Sequence, residues 1–210
     1  MKTITIIACL IFSSMTVHNA KADVEAALLG ALDQLHTAPN TEAATTAANQ
    51  LERIAMAEPG VWQTHYHHAY GMVMLSFRES DTHLIGQLLD RAETSLEQAH
   101  KAKGDASELL TLQAFILQAR INADPSQAME YSMQANKLLS QALEKNADNP
   151  RALFLMGQNL FYTPEAFGGG KERALPLFER SMAAFESNEP QSAIDPFWGQ
   201  QAVQIMLDQY

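Results

Sequence analysis

The sequence predicts an all-α fold in which antiparallel helix pairs stack into a short solenoid, and three observations predict it. A triplet of small, large and small residues recurs at helical spacing: Ala92-Leu96-Ala99, Ala135-Leu139-Ala142 and Ala174-Phe178-Ser181, with Ala47-Leu51-Ile54 as a fourth instance ending in a larger residue. Offsets of four and seven put each triplet on one helical face, where small residues admit a neighbouring helix and the bulky one fills the gap. The instances lie 45 (Ala47 to Ala92), 43 (Ala92 to Ala135) and 39 (Ala135 to Ala174) residues apart, a repeat signal. Second, start and stop signals punctuate the chain at matching places. Third, no segment alternates apolar and polar residues every two positions, so strands are not expected.

Taken in order, positions 23–37 carry Val24, Ala27, Leu28, Ala31, Leu32 and Leu35 along one face. Pro39-Asn40 breaks that helix, and Asn40 or Thr41 caps the next, which carries the first triplet and stops at Pro59-Gly60. A third helix spans Val61 to Ser80. Asp81 or Thr82 caps a fourth that runs to Lys103, with Gly104 ending it. Asp105 caps a fifth helix containing Leu109, Leu112, Phe115 and Ile116. Asp124-Pro125 and Asn149-Pro150 each place a capping side chain before a proline at the first helical position, starting the sixth and seventh. The pairs then fall at about 23–58, 60–103, 105–147 and 150–188. The segment 196–210, with Trp198, Val203, Ile205, Met206 and Leu207, is expected to cap the last pair, with Trp198-Gly199 under the glycine loop.

The triplets, closed by Pro59, Pro150 and Pro190, and the Met156-Gly157 pair in a first helix resemble the tetratricopeptide repeat family. The intervals exceed that family's repeat of about 34 residues, and the insertion TPEAFGGG separates the last pair. The resemblance implies a tetratricopeptide-like α-solenoid whose concave face is lined by the first helix of each pair. It also implies that Arg151, Phe154, Gln158, Phe161 and Tyr162 face that groove.

Residues Met1 to Ala22 read as a secretory leader: Lys2, an apolar run from Ile4 to Val17, and a small-x-small site at Ala20-Lys21-Ala22. The apolar run is short for a membrane span, which takes about 20 residues, and a lipidation box at Ile6-Ile7-Ala8-Cys9 would leave almost nothing apolar ahead of it. Cleavage removes Cys9, the one cysteine, and with it any disulfide or thiolate chemistry. Loss of Lys2 and Lys21 moves the formal charge from −10 to −12, which argues against nucleic acid and anionic membrane surfaces as partners. An exported, periplasmic product with no stable membrane insertion is expected.

Four features are candidates for chemistry. His65 and His68 share a face of the third helix at metal-ligand spacing, but no acid lies on the following turn to complete a site. Phe167-Gly168-Gly169-Gly170-Lys171 lacks the preceding strand and following Ser or Thr of a phosphate loop, so it reads as a shaped turn. That turn presents Glu165 and Phe167 beside Tyr162, while Arg151 and the aromatic residues of the seventh helix are the types that anchor a contact. The fourth is the C-terminal segment. Glu93, Glu97, Glu130 and Glu144 stand singly, and no nucleophile–base pattern is visible, so no enzyme and no cofactor are expected. The favoured expectation is a scaffold that docks a protein or peptide through Arg151, Phe154, Gln158, Phe161, Tyr162, Glu165 and Phe167. The alternative is a carrier of a small molecule or metal, with His65 and His68 as its metal ligands.

Overall fold

In a computed structural model the described residues are 22–187 and 189–210, so the leader reading, Cys9 included, lies outside them except for Ala22. The described residues form helices and connecting turns, with no strand among them. Helix α1 covers 22–37. It is followed by α2 (Thr41–Ala57), α3 (Trp62–Ser76), α4 (Thr82–Lys101), α5 (Ala106–Ala123), α6 (Ala128–Lys145), α7 (Pro150–Tyr162), α8 (Lys171–Ser187) and α9 (Gln200–Leu207).

Local chemistry starts these helices. Asn40 Oδ1 accepts the Ala43 N–H at 2.8 Å, Asp105 accepts from Glu108 N, and Asp81 accepts from His83 N and Leu84 N. Asn149 accepts from Arg151 N and Ala152 N, ahead of Pro150 in the first turn. Each such cap contributes about 1 kcal/mol by satisfying an amide that has no partner inside the helix. Two boundaries differ from the sequence expectation. A 3-10 turn, Pro125–Gln127, precedes α6, and α3 stops at Ser76, beyond which Glu79 accepts from the amides of Ser80 and Asp81.

Packing follows chain order: α2 on α3, α3 on α4, α4 on α5, and so on to α8 on α9. In addition α3 contacts α5 and α5 contacts α7, so these three helices form an inner row with α4, α6 and α8 outside. The seams are the recurring triplets. Ala92, Ala135 and Ala174 are fully buried, and the large residues of the four triplets, Leu51, Leu96, Leu139 and Phe178, are buried as well. Each buried leucine contributes roughly 1.5–3 kcal/mol. Gly157 allows α8 a close approach to α7: a Cβ there would stand 2.7 Å from the Phe178 ring. Ala135→Phe is therefore expected to overpack the seam and lower stability by about 1–3 kcal/mol or more. An unchanged urea midpoint would count against that seam.

The glycine triplet has a backbone reason at every position. Gly168 (φ 85°) and Gly170 (φ 108°) occupy the left-handed region, and a Cβ on Gly169 would meet the Thr163 carbonyl at 2.1 Å. The turn closes on α7 through Gly170 N–H to Leu160 O, at 2.9 Å.

Candidate functional site: an aromatic groove on the inner helices

Three helical stripes line a groove of about 560 Å³ on the inner row. Tyr70, Met74 and Phe77 come from α3 and its end, Phe115, Gln118 and Asn122 from α5, and Phe154, Gln158 and Tyr162 from α7. Offsets of three, four, seven and eight bring each set to one face of its helix. The fourth wall is the C-terminal segment, which supplies Trp198, Gly199 and Ala202.

Trp198 is the central ring. It stacks on Tyr70 with centroids 5.3 Å apart and planes 17° apart, and on Phe115 at 5.2 Å and 18°. Phe77 extends the row, 5.6 Å from Phe115. The expectation that Trp198-Gly199 packs under the glycine loop is corrected: three parallel rings from α3, the C-terminal segment and α5 make a better-matched stack. Phe77 (46% exposed) and Tyr162 (68%) stand at the mouth.

No lining residue carries a formal charge. Polarity comes from amides and hydroxyls. Gln118 Nε2 donates to Leu155 O at 3.0 Å, which leaves its Oε1 buried without a partner, an acceptor in the groove wall. Asn159 is spent on α6, accepting from Ser132 Oγ and donating to Ser132 O. The Tyr70 hydroxyl shares a hydrogen bond with His36 Nε2 at 3.1 Å, and burial holds its pKa well above the usual phenol value, so it stays protonated. Of side chains known to ligate iron, Met74 and Tyr162 also line the groove.

Beneath Trp198 lies a buried polar network. Trp198 Nε1 donates to Tyr66 Oη (3.0 Å), and Tyr66 Oη donates to Glu108 Oε2 (3.2 Å). Arg151 holds Glu108 from α7 with two N–H groups at 2.9 and 2.8 Å, and Asn149 Nδ2 adds a third at 2.8 Å.

The candidate residues therefore separate. Phe154, Gln158 and Tyr162 line the groove. Arg151 does not: its guanidinium, 4% exposed, is taken up by Glu108. Phe161 packs on Phe178, Tyr162 and Tyr210 with Lys171 Nζ 5.2 Å over its ring. Glu165 and Phe167 sit on the 3-10 turn outside the groove. His65 and His68 are buried in separate contacts, His65 Nε2 with Pro59 O and His68 Nδ1 with Ser95 Oγ. Among the described residues no group of three His, Cys, Asp or Glu could hold a metal ion. Sequence reasoning missed Tyr70, Met74, Phe115 and Gln118 as site residues, and gave Trp198 only as part of a cap. The four-and-seven spacing of Tyr70, Met74 and Phe77 was the available signal.

Helix pairs stacked around an aromatic groove define an all-α, helical-repeat-like protein. The chain is 35% identical to the HusA haemophore from Porphyromonas gingivalis, with a TM-score of 0.77 over 89% of this chain and 90% of that one, and it belongs to the same family. No protein-family model matches the sequence, and comparison with the curated proteins gives no match either. The relative is a haemophore, and what stands of the tetratricopeptide resemblance is the helical, repeat-like all-α fold. One expectation is overturned: the relative is a haemophore, which favours the small-molecule carrier over a scaffold that docks a protein or peptide. Among the described residues no helix is long and apolar enough to cross a membrane.

Proposed function

We propose that this chain is an exported carrier that binds haem, or a closely related flat tetrapyrrole, in the groove between α3, α5, α7 and the C-terminal segment. The observation that carries the reading is the aromatic groove in a chain 35% identical to a haemophore over nearly its whole length. The fit is physical. Its volume lies in the range of small-ligand sites, about 300–1,000 Å³. Tyr70, Trp198, Phe115 and Phe154 offer faces and edges to a planar aromatic cargo. Amides at Gln118, Asn122 and Gln158 offer hydrogen bonds to its polar edge. The groove holds no general acid–base pair, so binding and release rather than turnover is the role proposed. The leader reading makes export part of the same proposal.

Titration of the purified chain with haemin should give a saturable change in the Soret band and quenching of tryptophan fluorescence, with one ligand per chain. Gln158→Trp, which fills the groove from a half-buried helix position, should weaken haemin binding by more than about tenfold, or 1.4 kcal/mol, at an unchanged melting temperature. Absence of saturable haemin binding by the folded wild type would sink the proposal.

A further inference from the structure

Trp198 belongs to no helix, so something other than helical packing must hold its ring in the groove. Its segment is anchored on one stripe of α3. Gln63 Nε2 donates to Asp195 Oδ1 at 3.1 Å, Tyr66 Oη accepts from Trp198 Nε1, and His67 Nε2 donates to Ile194 O at 2.8 Å. Tyr70 stacks on the Trp198 ring itself. Positions 63, 66, 67 and 70 follow the helical spacing of one face, so α3 presents a continuous rail to residues 194–198. Resting on the haem-carrier reading, we infer that Tyr66 is a positioning residue for the ligand: its hydroxyl fixes the plane of Trp198 without entering the groove.

The network leaves that hydroxyl one orientation. An indole N–H only donates, so Tyr66 Oη accepts from it and must send its own proton elsewhere. The acceptor is Glu108 Oε2, and the two N–H groups of Arg151 hold that carboxylate in place. The hydrogen bonds therefore run in one direction, from Trp198 to Tyr66 to Glu108. Tyr66 is fully buried, and burial together with the facing Glu108 keeps its hydroxyl protonated and able to donate. Its ring is fully buried and packs edge-on against His67 at 5.5 Å as well as Trp62 at 5.8 Å, so removing the oxygen alone leaves the ring seated.

The test uses full-length mature chain carrying Trp62→Phe. The sequence has two tryptophans, so Trp198 becomes the sole indole reporter. Tyr66→Phe should weaken haemin binding about tenfold and change the near-ultraviolet circular dichroism of Trp198. Trp198→Phe should weaken binding comparably, and adding Tyr66→Phe to it should cause no further loss, because the hydroxyl acts through an N–H no longer present. Wild-type affinity in Tyr66→Phe, or losses that multiply in the double variant, would overturn the inference. Should Tyr66→Phe not fold, Gln63→Ala cuts the same rail at its half-buried edge and should weaken binding two- to fivefold; an unchanged affinity there overturns it. If neither the folded wild type nor the Trp62→Phe parent binds haemin, the carrier reading falls. The circular dichroism of Trp198 then decides the positioning role alone: a band unchanged by Tyr66→Phe, or by Gln63→Ala where that variant does not fold, overturns it.

Discussion

Arg151→Met will lower the stability of the folded chain by about 3–5 kcal/mol, the cost of leaving a buried carboxylate without its cation. Arg151 and Glu108 are 4% and 8% exposed, and Glu108 has no compensating positive charge among its other hydrogen-bond partners, Tyr66 and Asn149. For a chain of this length the melting temperature should fall by roughly 10 °C, taking about 2–4 °C per kcal/mol. Adding Glu108→Gln removes the stranded charge and keeps an acceptor for the Tyr66 hydroxyl, so the double variant should recover at least about 1 kcal/mol. Urea unfolding of both variants measures this. A single variant within about 1 kcal/mol of wild type would mean that water reaches the Glu108 carboxylate once Arg151 is gone.

What the sequence could show was whatever depends on neighbours along the chain. The seams at Ala92, Ala135 and Ala174 follow from spacings of three and four. The caps at Asn40, Asp81, Asp105 and Asn149 follow from side chains reaching amides two or three residues on. The all-α fold rests on those local rules. The groove was half legible: Phe154, Gln158 and Tyr162 stand out on α7, while Arg151 beside them turns to Glu108, 43 residues earlier on α5. No periodicity encodes that pairing. Nor does any local pattern say that Trp198 returns to Tyr66, 132 residues upstream. The histidines are a related case. His65 and His68 do share a face at metal-ligand spacing, but α3 is buried on nearly every side, and each is taken up by a separate hydrogen bond. His67, between them, holds the C-terminal segment instead.

That interior placement makes the chain acid-sensitive. His67 and His68 have pKa values lowered by burial from 6.5 to about 4 each. Around His67, Arg151 and His36 lower the value further, against a backbone hydrogen bond to Ile194 and the charge of Asp195. Around His68, Arg91 and His65 lower it and Glu52 raises it. The sign follows directly. Above pH 6.5 both histidines are neutral in the folded and the unfolded chain, so they leave stability unchanged. As pH falls below 6.5 the unfolded chain takes up protons that the folded chain refuses, and stability drops until pH reaches about 4. A shift of that size is worth about 3 kcal/mol for each histidine. Two together are comparable to the whole stability of many domains, about 5–15 kcal/mol. Gln in place of His67 keeps an N–H for the Ile194 carbonyl without a titrating nitrogen. His67→Gln should therefore lose less stability than wild type between pH 7 and pH 4.5, by about 2–3 kcal/mol in urea unfolding. Identical losses in the two proteins would show that His67 takes up its proton in the folded state, with water reaching the Nδ1 that otherwise lies buried and unpartnered.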